Sequence, residues 1–142
     1  MSTSESRSGG CSCGKLRYET IGEPVRVSAC HCKQCQLRTG SPFGVGCYFP
    51  KERVKITQGE TKTFQRSSDA GRWVRNHFCP ECGNTVLWEV EVLPDALGIT
   101  AGSFDDTDWL DPKLHVWTES AQKWVTLPDN VDIMQKSNIG KS

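Results

Sequence analysis

Seven of the eight cysteines in this chain fall into tight groups: Cys11-Ser12-Cys13, Cys30-His31-Cys32-Lys33-Gln34-Cys35 and Cys79-Pro80-Glu81-Cys82. Gaps of one and two residues suit metal ligation. Residues 1–10 lack the apolar centre of a secretory signal, so a reducing cytosol argues against a disulfide framework. Cys79-Pro80-Glu81-Cys82-Gly83 reads as a zinc-knuckle turn, in which two thiolates curl around one ion and Gly83 permits the tight backbone that follows. The knuckle supplies two ligands, whereas a tetrahedral structural zinc takes four at about 2.3 Å. Counting chooses the second pair. Joining Cys79 and Cys82 to Cys11 and Cys13 closes a four-thiolate site and leaves Cys30, Cys32 and Cys35 as a set of three. Closed zinc sites are structural, and sites with an open position are catalytic. The competing reading makes both ions structural. Cys47, alone between Gly46 and Tyr48 in an apolar run, reads as a small buried hydrophobe outside the ligand set.

The 17 basic and 17 acidic residues cancel, which is not the basic footprint of a nucleic-acid-binding surface. No stretch approaches the roughly 20 apolar residues of a membrane span. The chain therefore reads as a soluble, cytoplasmic protein with neither nucleic acid nor membrane as partner. Its 142 residues suit one domain. Residues 1–8, rich in Ser and Arg, have too little apolar content to pack and are expected as a tail. The domain is expected over 9–130 and a second tail over 131–142.

Within the domain, short alternating or β-branched runs bounded by turn residues predict strands over 15–20, 25–29, 43–49, 53–57, 61–66, 72–78, 85–91, 97–101 and 114–117. Single helical turns are expected near 33–38 and 106–110. The expected fold class is mainly β, a complex β-sheet fold built around zinc sites with little helix.

The ordered combination of Gly9-Gly10-Cys11-Ser12-Cys13-Gly14, Ala29-Cys30-His31-Cys32-Lys33-Gln34-Cys35, Thr39-Gly40-Ser41-Pro42-Phe43, Phe78-Cys79-Pro80-Glu81-Cys82-Gly83 and Ala101-Gly102-Ser103-Phe104-Asp105 resembles the glutathione-dependent formaldehyde-activating enzyme family. The domain is also found in centromere protein V, and the resemblance runs over about 9–129. It implies a fold shared with a small Rab-interacting chaperone and two zinc ions as cofactors. It also implies a structural ion at Cys11, Cys13, Cys79 and Cys82 and a catalytic one at Cys30, Cys32 and Cys35. The implied reaction joins formaldehyde to glutathione as S-hydroxymethylglutathione, a carbon–sulfur lyase reaction in reverse, so the expected partner is a small thiol substrate of the glutathione-adduct type. A zinc-stabilised binding or chaperone module without catalysis is the alternative.

Three thiolates give a zinc centre a formal charge of about −1, which makes activation of water less natural than ligation of a substrate thiolate. Thiol addition to an aldehyde, or its reversal, is the chemistry expected. His31, between two ligands, is read as a packed or supporting residue in preference to an acid. Lys33 and Arg38 are placed to offset the negative centre and attract a carboxylate-bearing thiol. Residues 39–43 are candidates for one wall of a pocket. Trp73, Trp88, Trp109, Trp117 and Trp124 are read as core and sheet-face packing. His77 and His115 are not needed as ligands. Asp105, Asp106 and Asp108 are read as an acidic turn capping a short helix.

Overall fold

A computed structural model describes residues 5–68 and 71–137 of the chain. Strands β1 (Ser6–Gly10), β2 (Arg17–Ile21) and β5 (Val54–Gln58) form a three-stranded sheet in the order β1-β2-β5. The larger, eight-stranded sheet contains β3 (Arg26–Cys30), β4 (Gly44–Pro50), β6 (Lys62–Ser67), β7 (Trp73–Phe78), β8 (Thr85–Val90), β9 (Ala96–Thr100), β10 (Leu114–Val116) and β11 (Asp132–Ile133). Its order is β11-β10-β3-β4-β9-β8-β7-β6. β10 lies parallel to both β3 and β11. The other pairings are antiparallel. One helix of seven residues, α1 (Lys33–Thr39), follows β3. All nine strands expected from the sequence form, with ends within two residues of the expected ones.

Side chains of a strand alternate between faces, so pairing register decides what each face of the large sheet carries. Val27, Cys47, Ile99 and Leu87 stand on one face, in contact with Leu16, Tyr18 and Phe104, and make the main core between the two sheets. Tyr18 is fully buried, with its hydroxyl 2.6 Å from Ser103 Oγ and its ring edge-on to Phe104. Cys47 is likewise fully buried in this core, the expected small hydrophobe. Cys30, Ser28 and Arg26 stand on the opposite face, in register with Gly44, Gly46 and Tyr48 of β4. Trp88, Val90 and Val74 complete that second face.

Three expectations need correction. The tail assigned to residues 1–8 contains most of β1, which pairs along its whole length with β2. Backbone pairing needs no apolar content, and Gly9 is required there because a Cβ would collide with Ser103 O and the Tyr18 hydroxyl. Residues 1–4 lie outside the described residues. The tail assigned to 131–142 includes β11, and residues 134–136 go on to accept backbone hydrogen bonds from Trp117, Thr118 and Glu119. Residues 138–142 lie outside the described part. The helical turn expected at 106–110 is instead a single four-residue turn closed by Leu110 N on Thr107 O at 3.1 Å, with Asp108 N on Asp106 Oδ1 at 2.9 Å and Trp109 Nε1 on Asp106 O at 2.7 Å. A side-chain carboxylate that captures its neighbour's amide competes with the helix.

Candidate metal centres and the adjoining pocket

The sulfurs of Cys11, Cys13, Cys79 and Cys82 lie within 4.8 Å of one another. Cys11 Sγ is 3.6 Å from Cys13 Sγ, which is 3.7 Å from Cys79 Sγ. A tetrahedron of sulfurs at 2.3 Å from zinc has edges of about 3.8 Å, so the group has the size of a closed site. Gly83, at φ 80°, lets the knuckle turn back, with its N–H on Cys79 O at 2.8 Å. Asn84 Oδ1 accepts the Ser12 N–H at 2.7 Å and so ties the two halves of the group together. Backbone N–H groups of Leu16 and Glu81 donate to Cys11 and Cys79 sulfur at 3.3 and 3.4 Å. Burial pushes the Cys11 thiol up, but the Leu16 N–H and the neighbouring thiols outweigh it and bring Cys11 down to about 6.

Cys30 ends β3, Cys32 caps α1 and Cys35 sits in its first turn, so one strand-to-helix turn brings three thiols within 4.8 Å. The Cys35 N–H donates to Cys32 Sγ at 3.4 Å. No fourth Cys, His or carboxylate joins this group among the described residues. Hydrogen bonds from Cys30 and Cys35 drive Cys32 well below the ordinary thiol range, and its neighbours drive Cys30 far above it. Three thiols this close cannot all ionise without a cation to offset them. Each group could hold a metal ion, and all-sulfur donor sets suit zinc.

A cavity of about 110 Å³ opens beside Cys30, Cys32 and Cys35 on the second face of the large sheet. Its floor is Trp88, laid across two glycines. A Cβ on Gly46 would stand 2.7 Å from Trp88 Cζ2, and one on Gly98 would collide with Nε1. The ring is fixed by a 3.0 Å hydrogen bond from Nε1 to the Tyr48 hydroxyl, and the Arg38 guanidinium lies 4.6 Å from its centroid. Trp73 and Trp117 supply aromatic walls. Trp117, just past β10, has φ 56°, the one non-glycine positive φ among the described residues, a conformation that costs on the order of 1 kcal/mol. Arg26, Arg38, Arg66 and Arg72 also line the cavity, and no Asp or Glu does among the described residues. The guanidinium charges of Arg66 and Arg38 add to the forces that lower Cys32 and oppose the rise of Cys35.

The other residues singled out in the sequence fall as follows. His31 is fully buried and turned away from the cavity, with Nε2 2.9 Å from His115 Nδ1 and its ring 4.9 Å from Phe43. His77 bonds Glu89 at 2.6 Å and Thr61 at 3.0 Å. Neither His77 nor His115 joins a cysteine group. Arg38 faces the cavity, but Lys33 lies on a shallow outer surface beside Trp124, because successive helical residues point in different directions. Residues 39–43 do not wall the cavity beside the three cysteines: Gly40 ends α1 at φ 68°, Gly40, Ser41 and Pro42 line the shallow outer surface that holds Lys33, and Phe43 packs on His31, so this segment reaches the cavity only at Gly44. The tryptophans divide. Trp109 packs on Phe104 at 5.1 Å, Trp124 is 72% exposed, and Trp73, Trp88 and Trp117 belong to the cavity. Arg26, Gly44 and Gly46 share the strand parity of Cys30 and its partners, a signal present in the sequence. Arg66, Arg72 and Trp117 arrive through long-range pairing that leaves no local mark.

The sequence model of the glutathione-dependent formaldehyde-activating enzyme family matches residues 6–120. A Colletotrichum graminicola protein, provisionally named as an enzyme of that kind, is 29% identical. That match covers 75% of this chain and 61% of the relative, so the chain spans about three fifths of the length of this curated relative. A Rhodobacter sphaeroides protein of known crystal structure superimposes with a TM-score of 0.55 at 17% identity, over 74% of this chain and 91% of that one. That second likeness is one of fold.

Proposed function

This chain belongs to the glutathione-dependent formaldehyde-activating enzyme family, and from that membership we propose that it is a zinc-dependent carbon–sulfur lyase acting on a small thiol adduct of the S-hydroxymethylglutathione type. The observation that carries the reading is the contrast between the two cysteine groups. Cys11, Cys13, Cys79 and Cys82 make a complete set of four, whereas Cys30, Cys32 and Cys35 make a set of three that lines a cavity. On this reading the first group holds a structural ion and the second a catalytic one. Zinc held by three thiolates supplies a position at which a substrate thiol stays ionised near neutral pH.

The remaining work belongs to the chain's own residues. In the addition direction the substrate sulfur bonds to the aldehyde carbon, the carbonyl π pair moves to oxygen, and that oxygen takes one proton; the reverse breaks the carbon–sulfur bond and returns the proton. Arg38 offsets the negative charge that gathers on sulfur and oxygen. Tyr48 is the proton-holding group. Burial pushes its phenol up to about 12, so it keeps its proton, and its oxygen already accepts from Trp88, which leaves the O–H to donate to the adduct oxygen. Trp73 and Trp117 exclude water from the step. The same reading places the protein in a reducing cytoplasm, where free thiols persist.

The test is cobalt substitution followed by titration with thiols, reading thiolate-to-cobalt absorption, with formation of the S-hydroxymethyl adduct followed by NMR. A saturable change in the parent protein that is absent from Cys32→Ser, together with faster adduct exchange, is expected. No change with any thiol, in a second site already holding four protein ligands, would sink the lyase reading and favour a binding module.

A further inference from the structure

Four guanidinium groups line the cavity and no carboxylate accompanies them among the described residues. Two are engaged with the protein. Arg38 lies over Trp88 and reaches Thr100 Oγ1 at 3.4 Å, and Arg26, which opens β3 opposite Tyr48, has its own partner in the chain. Arg66 and Arg72 come from the far edge of the large sheet, where the Arg66 guanidinium donates to the Ser67 carbonyl at 3.3 Å. They flank the β6–β7 turn, closed by Ser68 N on Arg72 O at 2.6 Å, and both are half-buried. Neither enters an ion pair with a described acidic residue. Two like charges held over one half-buried cavity are destabilising unless an anion joins them, and a guanidinium pair matches a carboxylate in shape and charge.

Size and polarity narrow the anion further. The cavity measures about 110 Å³, well under the roughly 300–1,000 Å³ that drug-sized ligands occupy. The lining includes Val74, Val90 and three tryptophans beside the polar Asn76 and Tyr48, and its apolar part suits a short hydrocarbon spacer.

We propose that the substrate is the formaldehyde adduct of a short carboxylate-bearing thiol, its carboxylate held by Arg66 and Arg72 and its sulfur placed at Cys30, Cys32 and Cys35. A tripeptide such as glutathione enters by one arm only. The inference rests on the proposed function in taking the cysteine end as the sulfur site, while the carboxylate end stands on the arginines alone.

The experiment uses the zinc-loaded full chain and its own tryptophan emission, since Trp73, Trp88 and Trp117 line the cavity. The probes are 3-mercaptopropionate, the uncharged 3-mercapto-1-propanol, propionate and glutathione. Mercaptopropionate is expected to bind at least about tenfold tighter than mercaptopropanol, the ratio of a single charge-assisted contact, and glutathione no tighter than mercaptopropionate. The double variant Arg66→Gln, Arg72→Gln should erase the preference while leaving affinity for the neutral thiol unchanged, and Arg72→Lys should restore part of it. Far-UV circular dichroism checks that the variants fold. Equal binding of charged and neutral thiols, a preference that survives the double variant, or glutathione binding tenfold tighter would overturn the proposal. Arginine-dependent binding of propionate as tight as that of mercaptopropionate would keep the carboxylate site and reject the thiolate reading, so the two failures are told apart.

Discussion

Serine in place of Cys79 and serine in place of Cys32 should do quite different things to this protein. Cys79 is 1% exposed, belongs to the main core, and stands 3.7 Å from the Cys13 sulfur. A structural zinc contributes an apparent ~10–16 kcal/mol in zinc-finger peptides, and a whole domain of this size is stable by only ~5–15 kcal/mol. Losing one ligand of the closed site therefore removes as much as the domain has, and Cys79→Ser should show no cooperative urea transition at 25 °C. Cys32 is the cap of α1, accepting the Cys35 N–H. Serine is among the best helix caps and can accept the same bond, so the local cost should be under about 1 kcal/mol. What Cys32→Ser should lose is the ion of the three-cysteine site. Metal content by mass spectrometry beside urea midpoints measures both quantities: two zinc per chain in the parent, one in Cys32→Ser with a midpoint near the parent's, and an unfolded Cys79→Ser. Equal loss of stability in the two variants would refute the division of labour.

Three further outcomes are expected. Gly46→Ala should displace Trp88, whose Cζ2 would lie 2.7 Å from the new methyl, at a cost of ~1–3 kcal/mol; an unshifted emission maximum and midpoint would contradict the packing described. Tyr48→Phe leaves the Trp88 N–H without its acceptor and should cost ~1–3 kcal/mol while lowering turnover with both metals retained, as seen by comparing metal analysis with the rate. Burial pushes Glu89 up, but the His77 hydrogen bond and charge, with Arg75, outweigh it and hold Glu89 below its ordinary 4.5. A depressed folded value means stability that is fully present above 4.5 and is lost as pH falls through the folded value. Urea midpoints of Glu89→Gln should accordingly fall less steeply than the parent's below pH 4.5, and parallel curves would show that the carboxylate contributes nothing.

What the sequence disclosed and what it withheld divide along a physical line. Strand positions were legible because runs such as 43–49 and 85–91 combine β-branched and aromatic residues with Gly and Pro punctuation, and that information is local. The cysteine partition was legible because ligand counting is arithmetic on a coordination number. β1 was not, since Ser6–Gly10 holds its place by backbone pairing and by the absence of a Cβ at Gly9, neither of which composition expresses. The cavity was only half legible. Arg26 shares the parity of Cys30, yet Arg66, Arg72 and Trp117 reach the cavity through strand order, and a strand's neighbours are chosen by the whole sheet. His31 shows the same limit at short range, since its place between two ligands left its direction open until β10 supplied His115 as its partner.

The parallel seating of β10 beside β3, with Val116 opposite Cys30, also carries a consequence for biosynthesis. The closed cysteine group is complete once Cys82 has left the ribosome, so a nascent chain can trap its first ion and fasten β2 to the knuckle early. The three-cysteine turn is translated earlier still, yet its Trp117 wall is made last and must cross to reach it. Parallel neighbours distant along the chain are slow to meet. During that interval three closely spaced thiols stand uncovered in the nascent chain, the stage at which they are most open to oxidation or to capture of the wrong ion. If both groups hold ions, the four-cysteine group has all its ligands before β10 is translated, whereas the three-cysteine group gains its Trp117 cover only afterwards.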